Sequence, residues 1–265
     1  MKKENRLAII GLGYVGTALK HVCEMYYKEV FGYDIKEQQD WNSILRSDIV
    51  FICVPTPEGI AGRLDCSCVE NVLAKLSNDN YIGIVAIKST LHIGFMDKAC
   101  RLHPNLRLVY NPEFLREKSA FQETVNPDRI VVSGKRQDAE EVIATCFWAE
   151  NAKTIITNHR SAEIGKLVNN ARIATWVSFT NEIERISEDL GADVKDVMDI
   201  VTSDRRVKSK DHLQPNLGPY SGQCIPKDLK ELLNASNSEF LKAIEAVNEK
   251  TKIRYGKKPK NDETQ

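Results

Sequence analysis

Three glycines follow an apolar segment near the start of the chain. Leu7 to Ile10 has the composition of a buried strand, and Gly11, Gly13 and Gly16 follow it in a G-x-G-x-x-G pattern. The first glycine permits a tight turn, the second lets the backbone approach a pyrophosphate, and the third lets helix and strand pack closely. A helix that begins here points unpaired N–H groups at a phosphate. The segment therefore predicts the first unit of a Rossmann-type dinucleotide-binding domain.

An acidic residue stands at the end of the next predicted strand. Asp34 follows Gly16 by 18 residues, and no arginine occurs among residues 35–40. A carboxylate at this position accepts hydrogen bonds from ribose hydroxyls and repels a 2′-phosphate. The sequence therefore favours NAD over NADP as the cofactor.

The first half of the chain alternates short apolar runs with helical patterns, which predicts a parallel α/β sheet. The predicted strands are Leu7–Ile10, Val30–Tyr33, Ile49–Val54, Ile82–Ile87, Leu106–Tyr110, Arg129–Val132 and Thr154–Ile156. The predicted helices between them are Val15–Tyr26, Ser67–Leu76, Gly94–Leu102, Glu117–Glu123 and Asp138–Trp148.

The pattern changes near Ser161. From there to Leu190 there is no proline and one glycine, and apolar residues recur at helical spacing. At about 1.5 Å per residue this predicts a helix of about 45 Å. Its apolar positions exceed what one domain covers, which predicts a homodimer through this helix, with Trp176 and Phe179 as contacts.

Shorter helices are predicted to follow the long one. They are Val194–Val201, Lys227–Leu233 and Glu239–Arg254. The predicted fold is therefore an α/β, Rossmann-type parallel-sheet domain (residues 1–158) followed by an all-helical central domain with one long helix (159–255). A polar, disordered tail is predicted for 256–265.

Composition argues against several classes of protein. The 37 basic and 37 acidic residues balance, so no nucleic-acid or anionic-membrane partner is predicted. The apolar runs fall far short of the ~20 residues of a membrane span, and no cleavage site of a signal peptide is found. The seven cysteines are odd in number, which favours a reducing cytoplasm over a disulfide framework. Cys66 and Cys68 lack a second pair at zinc-site spacing, so no metal is predicted.

Polar residues at particular positions suggest catalysis. Glu113 follows a predicted strand, so it lies at the carboxyl edge of the sheet, where such folds bind ligands. Lys166 and Asn170 share one face of the long helix, a cation and an amide suited to a developing oxyanion. Cys224 precedes a predicted helix start, which favours the thiolate, and Asp228 lies four residues on. A lone cysteine is more often an inert buried thiol, and polar pairs on helices usually face solvent, so the functional interpretation depends on the combination.

Further motifs follow the glycine loop in a fixed order along the chain. They are Val54-Pro-Thr-Pro57 with Gly62-Arg-Leu-Asp65, Lys88-Ser-Thr90, Asn111 to Glu117, Asn126-Pro-Asp-Arg129-Ile, Ala162 to Asn170 with Asn181-Glu182, Asp204-Arg-Arg206, and Cys224-Ile-Pro-Lys-Asp228. Together with Gly11 to Gly16 they resemble the UDP-glucose/GDP-mannose dehydrogenase family over roughly residues 6 to 250. That family oxidises the C6 alcohol of a nucleotide-sugar to the uronic acid with two NAD+, for polysaccharide biosynthesis.

The resemblance implies roles for individual residues. Cys224 would attack the aldehyde intermediate and pass through a thiohemiacetal and a thioester. Glu113 would be the base in hydrolysis, Lys166 and Asn170 would stabilise the oxyanion, with Lys166 also a candidate proton carrier, and Asp228 would orient water. The implied cofactor-binding residues are Gly11, Gly13, Tyr14, Val15, Gly16, Asp34, Val54, Thr56, Thr90, Glu117 and Lys227. The implied substrate-binding residues are Phe114, Leu115, Arg206, Tyr220 and Gly222.

The chain also departs from the family pattern. Only about 14 residues separate Asp34 from Ile49, which predicts a sheet trimmed at the edge near the adenosine. Ser221 stands where the family has a glycine, and the chain ends where the family's third domain would begin, which implies a short form without the C-terminal nucleotide-sugar-binding domain. Two alternatives stay open. One is an NAD-dependent dehydrogenase of another small hydroxy substrate, and the other is a catalytically idle NAD-binding assembly module.

Overall fold

The structure, a computed structural model, describes residues 2–36 and 40–257. The chain divides into two compact units, Met1–Lys166 and Leu167–Gln265. The predicted domain boundary after residue 158 coincides with the start of the long helix at His159, whereas the compact units divide within that helix.

The first unit alternates strands and helices around one sheet. Its elements are β1 (Lys3–Ile10), α1 (Tyr14–Tyr26), β2 (Tyr27–Tyr33), α2 (Trp41–Leu45), β3 (Ile49–Ile52), α3 (Ser67–Asn78), β4 (Ile84–Ile87), α4 (Phe95–Leu102), β5 (Arg107–Tyr110), α5 (Ala120–Val125), β6 (Arg129–Ser133), α6 (Arg136–Thr145) and β7 (Lys153–Thr157). The strand order is β2-β1-β3-β4-β5-β6-β7. The chain reverses its direction of winding between β1 and β3, and a crevice for a ligand forms at such a point. This architecture confirms the predicted α/β Rossmann-type class.

The central strands are buried along their whole length. All residues of β3 and β4 are buried, as expected for parallel strands covered on both faces. The fourth predicted strand nevertheless began too early, because Ile82 is 84% exposed and the strand starts at Ile84. At Gly83 an added Cβ would lie 2.5 Å from the Asp48 carbonyl oxygen, so the chain enters the sheet through a position that only glycine fills.

One pairing departs from the parallel arrangement of the rest of the sheet. β6 pairs antiparallel with β5 at Tyr110 and Ser133, and β7 then runs parallel to β6. The segment between β5 and β6 carries only a short 3₁₀ turn and α5, and it returns into the sheet from the edge where β5 leaves. Antiparallel neighbours need no long crossover, so this connection is sufficient.

The sheet ends at β2, next to the predicted trimmed region. In the described residues between Asp34 and Ile49 the regular structure is the five-residue helix α2, and residues 37–39 lie outside the described ranges. Sequence reasoning missed α2, although a signal was present. Asp40 caps it, since its carboxylate accepts a hydrogen bond from Asn42 N at 2.9 Å.

The second unit is helical throughout its described part. The 31-residue α7 (His159–Asp189) begins in the first unit and continues into the second, followed by α8 (Val194–Thr202), α9 (Cys224–Ser236) and α10 (Glu239–Lys257). Two predicted boundaries need correction. Helix α9 begins at Cys224 rather than Lys227, because a proline such as Pro226 is tolerated in a first turn. Helix α10 continues through Gly256 and Lys257, the first two residues of the predicted disordered tail, and residues 258–265 of that tail lie outside the described residues.

Apolar residues from three helices meet in the core of this unit. Ala171, Ala174 and Val177 of α7 pack with Leu229 of α9 and with Leu241 and Ile244 of α10. Across the described residues, every helix is too short or too polar to traverse a lipid bilayer.

Candidate active site

The glycine loop after β1 has the geometry of a cradle for phosphate. Gly11 has φ +90°, and an added Cβ there would lie 2.7 Å from the Cys53 carbonyl oxygen. A Cβ at Gly16 would lie 1.9 Å from the Gly11 carbonyl oxygen, whereas Gly13 has no atom within 4 Å of that position. Helix α1 begins with Tyr14 and Val15 directly after Gly13, which makes no side-chain cap, and the N-terminus of a helix is a common position for a phosphate. The loop therefore fits a dinucleotide pyrophosphate.

The Asp34 carboxylate is held by backbone amides. It accepts hydrogen bonds from Leu12 N at 2.9 Å and from Lys36 N at 3.0 Å. These bonds, that from Leu12 first, lower the pKa of Asp34 below its usual value. The carboxylate is thus ionised at neutral pH and fixed beside the glycine loop, as the prediction of a ribose-binding acid requires.

We expect the protein to bind NADH at least about tenfold more tightly than NADPH, because a 2′-phosphate would be placed against the ionised Asp34. Isothermal titration calorimetry with both cofactors measures this preference. Asp34→Asn removes the charge and keeps the size of the side chain, so the difference between the affinities for NADH and NADPH should become smaller. Tighter binding of NADPH than of NADH by the wild-type protein would contradict the assignment.

Other predicted cofactor residues lie beyond the carboxyl ends of β3 and β4. The Val54 carbonyl oxygen accepts a hydrogen bond from Ser89 Oγ at 2.7 Å, which ties the two segments together, and Thr56 and Thr90 are buried. The Lys88 ammonium donates to Asn111 Oδ1 at 3.1 Å, which links this edge to the end of β5. Glu117, by contrast, is exposed and begins a 3₁₀ turn.

Glu113 and Lys166 form an ion pair within the first unit. Lys166 Nζ lies 3.3 Å from Glu113 Oε1 and donates to the Glu113 carbonyl oxygen at 2.7 Å. The other carboxylate oxygen accepts from Leu115 N at 2.6 Å, and the Phe114 ring lies 5.4 Å from the ammonium. Both charged side chains are largely buried, so each charge is stabilised by the other in place of water. An ammonium and a carboxylate in contact can stabilise an oxyanion and exchange a proton.

Glu163 is a buried residue near Lys166 that sequence reasoning missed. It is fully buried, and its carboxylate accepts hydrogen bonds from Gly94 N at 2.7 Å and Met96 N at 2.8 Å. It therefore caps α4 from another helix, and burial raises its pKa. Since Lys166 follows it by one helical turn on α7, the cap fixes the part of the helix that presents the ammonium.

Cys224 is the first residue of α9 and is exposed. The preceding residue, Gln223, makes no side-chain cap hydrogen bond to α9. Three other thiols are partly buried. Burial raises the pKa of Cys53 to about 12 and raises the pKa of Cys100 and Cys146 as well.

Asp228 and Asn170 form a buried polar cluster in the second unit. Asn170 Nδ2 donates to Asp228 Oδ2 at 2.6 Å, and Lys227 Nζ lies 2.7 Å from Asp228 Oδ1. Asp228 is fully buried, and it lies one turn after Cys224 on α9. Asn170 and Asp228, both predicted to be catalytic, are thus in direct contact. Lys227, predicted to bind the cofactor, belongs to the same cluster.

The predicted substrate residues differ in their surroundings. Phe114 stacks under the Arg129 guanidinium at 3.9 Å, and Leu115 is tied to Glu113. Arg206 is exposed and paired with Asp204 at 2.5 Å, and Gly222, with φ +82°, is exposed as well. Tyr220 is buried in the core of the second unit, so its side chain packs there rather than facing solvent. No group of three or more His, Cys, Asp or Glu suited to a metal ion occurs within residues 2–36 and 40–257.

Comparison with known proteins places the chain in a family. Residues 38–149 match the NAD-binding domain, and residues 160–250 the central domain, of the UDP-glucose/GDP-mannose dehydrogenase family. The chain belongs to this family, which confirms the resemblance seen in the motifs. The first match also confirms NAD as the cofactor.

Curated relatives include two bacterial enzymes. UDP-glucose 6-dehydrogenase TuaD of Bacillus subtilis is 32% identical over 265 residues, which cover 94% of this chain and 57% of TuaD. UDP-glucose 6-dehydrogenase of Pseudomonas aeruginosa is 31% identical over 225 residues, which cover 78% of this chain and 49% of that protein. The chain thus spans about half the length of the curated relatives it matches.

Solved structures share the fold. A UDP-glucose dehydrogenase from the archaeon Pyrobaculum islandicum superposes with a TM-score of 0.83 at 24% identity, covering 94% of this chain and 69% of that one. The 3-hydroxyisobutyrate dehydrogenase of Mycobacterium tuberculosis superposes with a TM-score of 0.69 at 15% identity, covering 94% of each chain. The same fold therefore carries different dehydrogenase substrates, and substrate identity has to be argued from the site.

Proposed function

We propose that this chain is the NAD-binding and thiol-bearing part of a nucleotide-sugar dehydrogenase that converts a sugar C6 alcohol to the carboxylate. The observation that carries the proposal is Cys224, an exposed thiol in the first turn of α9, one turn before the buried Asp228. A dehydrogenase that stops at an aldehyde or ketone has no use for a nucleophilic thiol. One that proceeds to an acid gains an easier route through a covalent intermediate.

The proposed reaction has two oxidations and one hydrolysis. Bound NAD+ would accept one hydride in each oxidation. In the first, the C6 alcohol loses a proton and a hydride and becomes an aldehyde. The Cys224 sulfur then bonds to the aldehyde carbon, and the resulting thiohemiacetal loses the second hydride to become a thioester. Water displaces the sulfur, which gives one carboxylate and two NADH for each alcohol.

In this proposal the two polar clusters have separate tasks. The Lys166 ammonium, held at 2.7 Å from the Glu113 carbonyl oxygen, stabilises negative charge on the C6 oxygen. The Glu113 carboxylate accepts a proton from the attacking water. Asn170 supplies an amide one turn further along α7, and Asp228, which Asn170 contacts at 2.6 Å, has the role of orienting water.

Turnover with a panel of nucleotide-sugars tests the proposal. UDP- and GDP-linked hexoses are incubated with NAD+, and NADH and sugar acid are both quantified. We expect at least one member of the panel to yield two NADH for each acid. Oxidation of small hydroxy acids alone would favour a different dehydrogenase, and NAD binding without any turnover would favour an assembly module.

We also propose that α7 mediates a homodimer. Val168, Phe179 and Ile186 are exposed on it, and their spacing of 11 and 7 residues puts them on one face of the helix. Trp176, the other predicted contact, is half-buried, and its ring stacks with the Arg172 guanidinium at 4.3 Å. An exposed apolar stripe on a helix this long is typical of a surface that a second copy covers.

We expect the protein to have the mass of a dimer in multi-angle light scattering, and Phe179→Glu to shift it toward the monomer on dilution. A charge in the middle of an apolar interface is buried without a partner, so dissociation should become measurable. Ile82→Glu, which places the same charge on an exposed isoleucine of the first unit, is the control and should stay dimeric. A concentration-independent monomer for the wild-type protein would contradict the proposal.

A further inference from the structure

The loop between α8 and α9 leads directly to Cys224, and its backbone is unusual. Within residues 212–222, which we call the 212–222 loop, four residues have positive φ. They are His212 (+64°), Asn216 (+62°), Gly218 (+68°) and Gly222 (+82°). Left-handed conformations at His212 and Asn216 cost free energy, so they persist only where the surroundings impose them.

Side chains of α7 hold the first part of the loop. Thr180 Oγ1 donates to the His212 carbonyl oxygen at 2.8 Å, and Asn181 Nδ2 donates to the Gly218 carbonyl oxygen at 2.8 Å. Glu184 accepts a hydrogen bond from Asn216 N at 3.0 Å. These three side chains are buried, so their hydrogen bonds are made away from water, where leaving one unmade is costly.

A single side chain of α10 holds the last part. Asn248 Oδ1 accepts from Tyr220 N at 2.8 Å, and Asn248 Nδ2 donates to the Tyr220 carbonyl oxygen at 3.1 Å. One amide group thereby satisfies both backbone groups of Tyr220, as a neighbouring strand would, and Asn248 is only 2% exposed. The Tyr220 ring packs in the same core cluster as Ile225 and Leu229, which belong to the first turns of α9.

We propose that Asn248 is a positioning residue. It fixes the backbone of Tyr220 and thereby holds the 212–222 loop and the first turn of α9 in the arrangement that the attack of Cys224 on the aldehyde requires. Tyr220 precedes the thiol by four residues, and only Ser221, Gly222 and Gln223 lie between them. Gly222 has φ +82° and no atom within 4 Å of an added Cβ, so it leaves the backbone conformationally free at that point. The constraint on the backbone before Cys224 therefore has to come from Tyr220. The catalytic consequence rests on the proposed function, whereas the structural part does not.

Hydrogen–deuterium exchange tests the structural part without turnover. In Asn248→Ala, we expect the amides of the peptide covering residues 217–224 to exchange at least about tenfold faster, while peptides from α7 and the rest of α10 are unchanged. Thr251→Val is the matched control. It lies one turn later on α10, is also buried, and loses a hydroxyl that donates to the Val247 carbonyl oxygen of its own helix. Asn248→Asp keeps an acceptor for Tyr220 N and should have an intermediate effect, and it serves if Asn248→Ala does not fold.

Kinetics test the catalytic part. The two oxidations are measured separately, from the nucleotide-sugar alcohol and from its C6 aldehyde, each per folded protein. Displacing the thiol should lower kcat for the aldehyde by about 10- to 100-fold, and leave the first oxidation within about threefold. A purely structural role would lower both oxidations together.

Two results would overturn this assignment. One is an amide exchange rate in the 217–224 peptide that is the same in Asn248→Ala as in the wild-type protein. The other is a loss of kcat that is equal for both oxidations. A wild-type protein that oxidises no nucleotide-sugar would instead contradict the proposed function. In that case the exchange contrast between Asn248→Ala and Thr251→Val still decides whether Asn248 fixes the loop.

Discussion

Replacing Cys224 by alanine should abolish formation of the sugar acid and leave the first oxidation measurable. Without the sulfur no thioester forms, so the aldehyde has no covalent route to the acid. The first oxidation requires only hydride and proton transfer, which do not involve the thiol. We expect acid formation to fall by at least about 10³-fold, the scale seen when an enzyme loses its nucleophile. Product analysis by mass spectrometry distinguishes aldehyde from acid.

Cys68→Ala is the matched control for this variant. Cys68 is also an exposed thiol in the first turn of a helix, α3, but it belongs to none of the polar clusters described above. Its loss should leave both oxidations within about twofold, as expected for a surface substitution away from the chemistry. Iodoacetamide should likewise modify Cys224 faster than Cys68 near neutral pH. Acid production that survives in Cys224→Ala would exclude the thioester route for this chain.

Replacing Lys166 by methionine should slow both oxidations by about 10²- to 10³-fold, because each develops negative charge on the C6 oxygen. The variant also leaves the Glu113 carboxylate buried without its cation, and breaking a buried pair costs about 3–5 kcal/mol of stability. Rates therefore have to be measured below the melting temperature of the variant and expressed per folded protein.

A double variant separates these two effects. Lys166→Met combined with Glu113→Gln removes the orphaned charge, so stability should recover while activity does not. Lys98→Met is the control, since Lys98 is an exposed lysine whose pair with Glu70 at 2.8 Å lies on the surface. Its activity should stay within about twofold, because exposed pairs contribute little. Full activity of the double variant would remove Lys166 from the mechanism.

The elements with strong local signals could be predicted from the sequence. Gly11 and Gly16 occupy positions where an added Cβ would clash with the backbone, and Asp34 follows at the spacing of a ribose ligand. The long helix was apparent because apolar positions recur over about 30 residues without a break. These features depend on periodicity and backbone sterics, which a single sequence reports directly.

What could not be predicted depends on contacts between distant segments. The direction of β6 is set by its pairing with β5, and no local property of Arg129–Ser133 distinguishes the two directions. In the sequence Glu163 has the pattern of an ordinary helix residue, and its role as a cap is apparent only from its contact with the start of α4. Asn248 lies in a predicted helix, yet its partner is the backbone of a residue 28 positions earlier. The start of α2, by contrast, could have been found from its capping residue Asp40.

The central claim, that Cys224 carries the sugar as a thioester, is tested most directly by trapping that species. Glu113→Gln removes the proposed base for hydrolysis, so the thioester should accumulate when this variant is mixed with NAD+ and an active nucleotide-sugar, then quenched in acid. Peptide mass spectrometry should find the acyl mass on the peptide that contains Cys224, absent from the Cys68 peptide and released by hydroxylamine. Acid formation by the wild-type protein, with no acyl mass on Cys224 in this variant, would contradict the account.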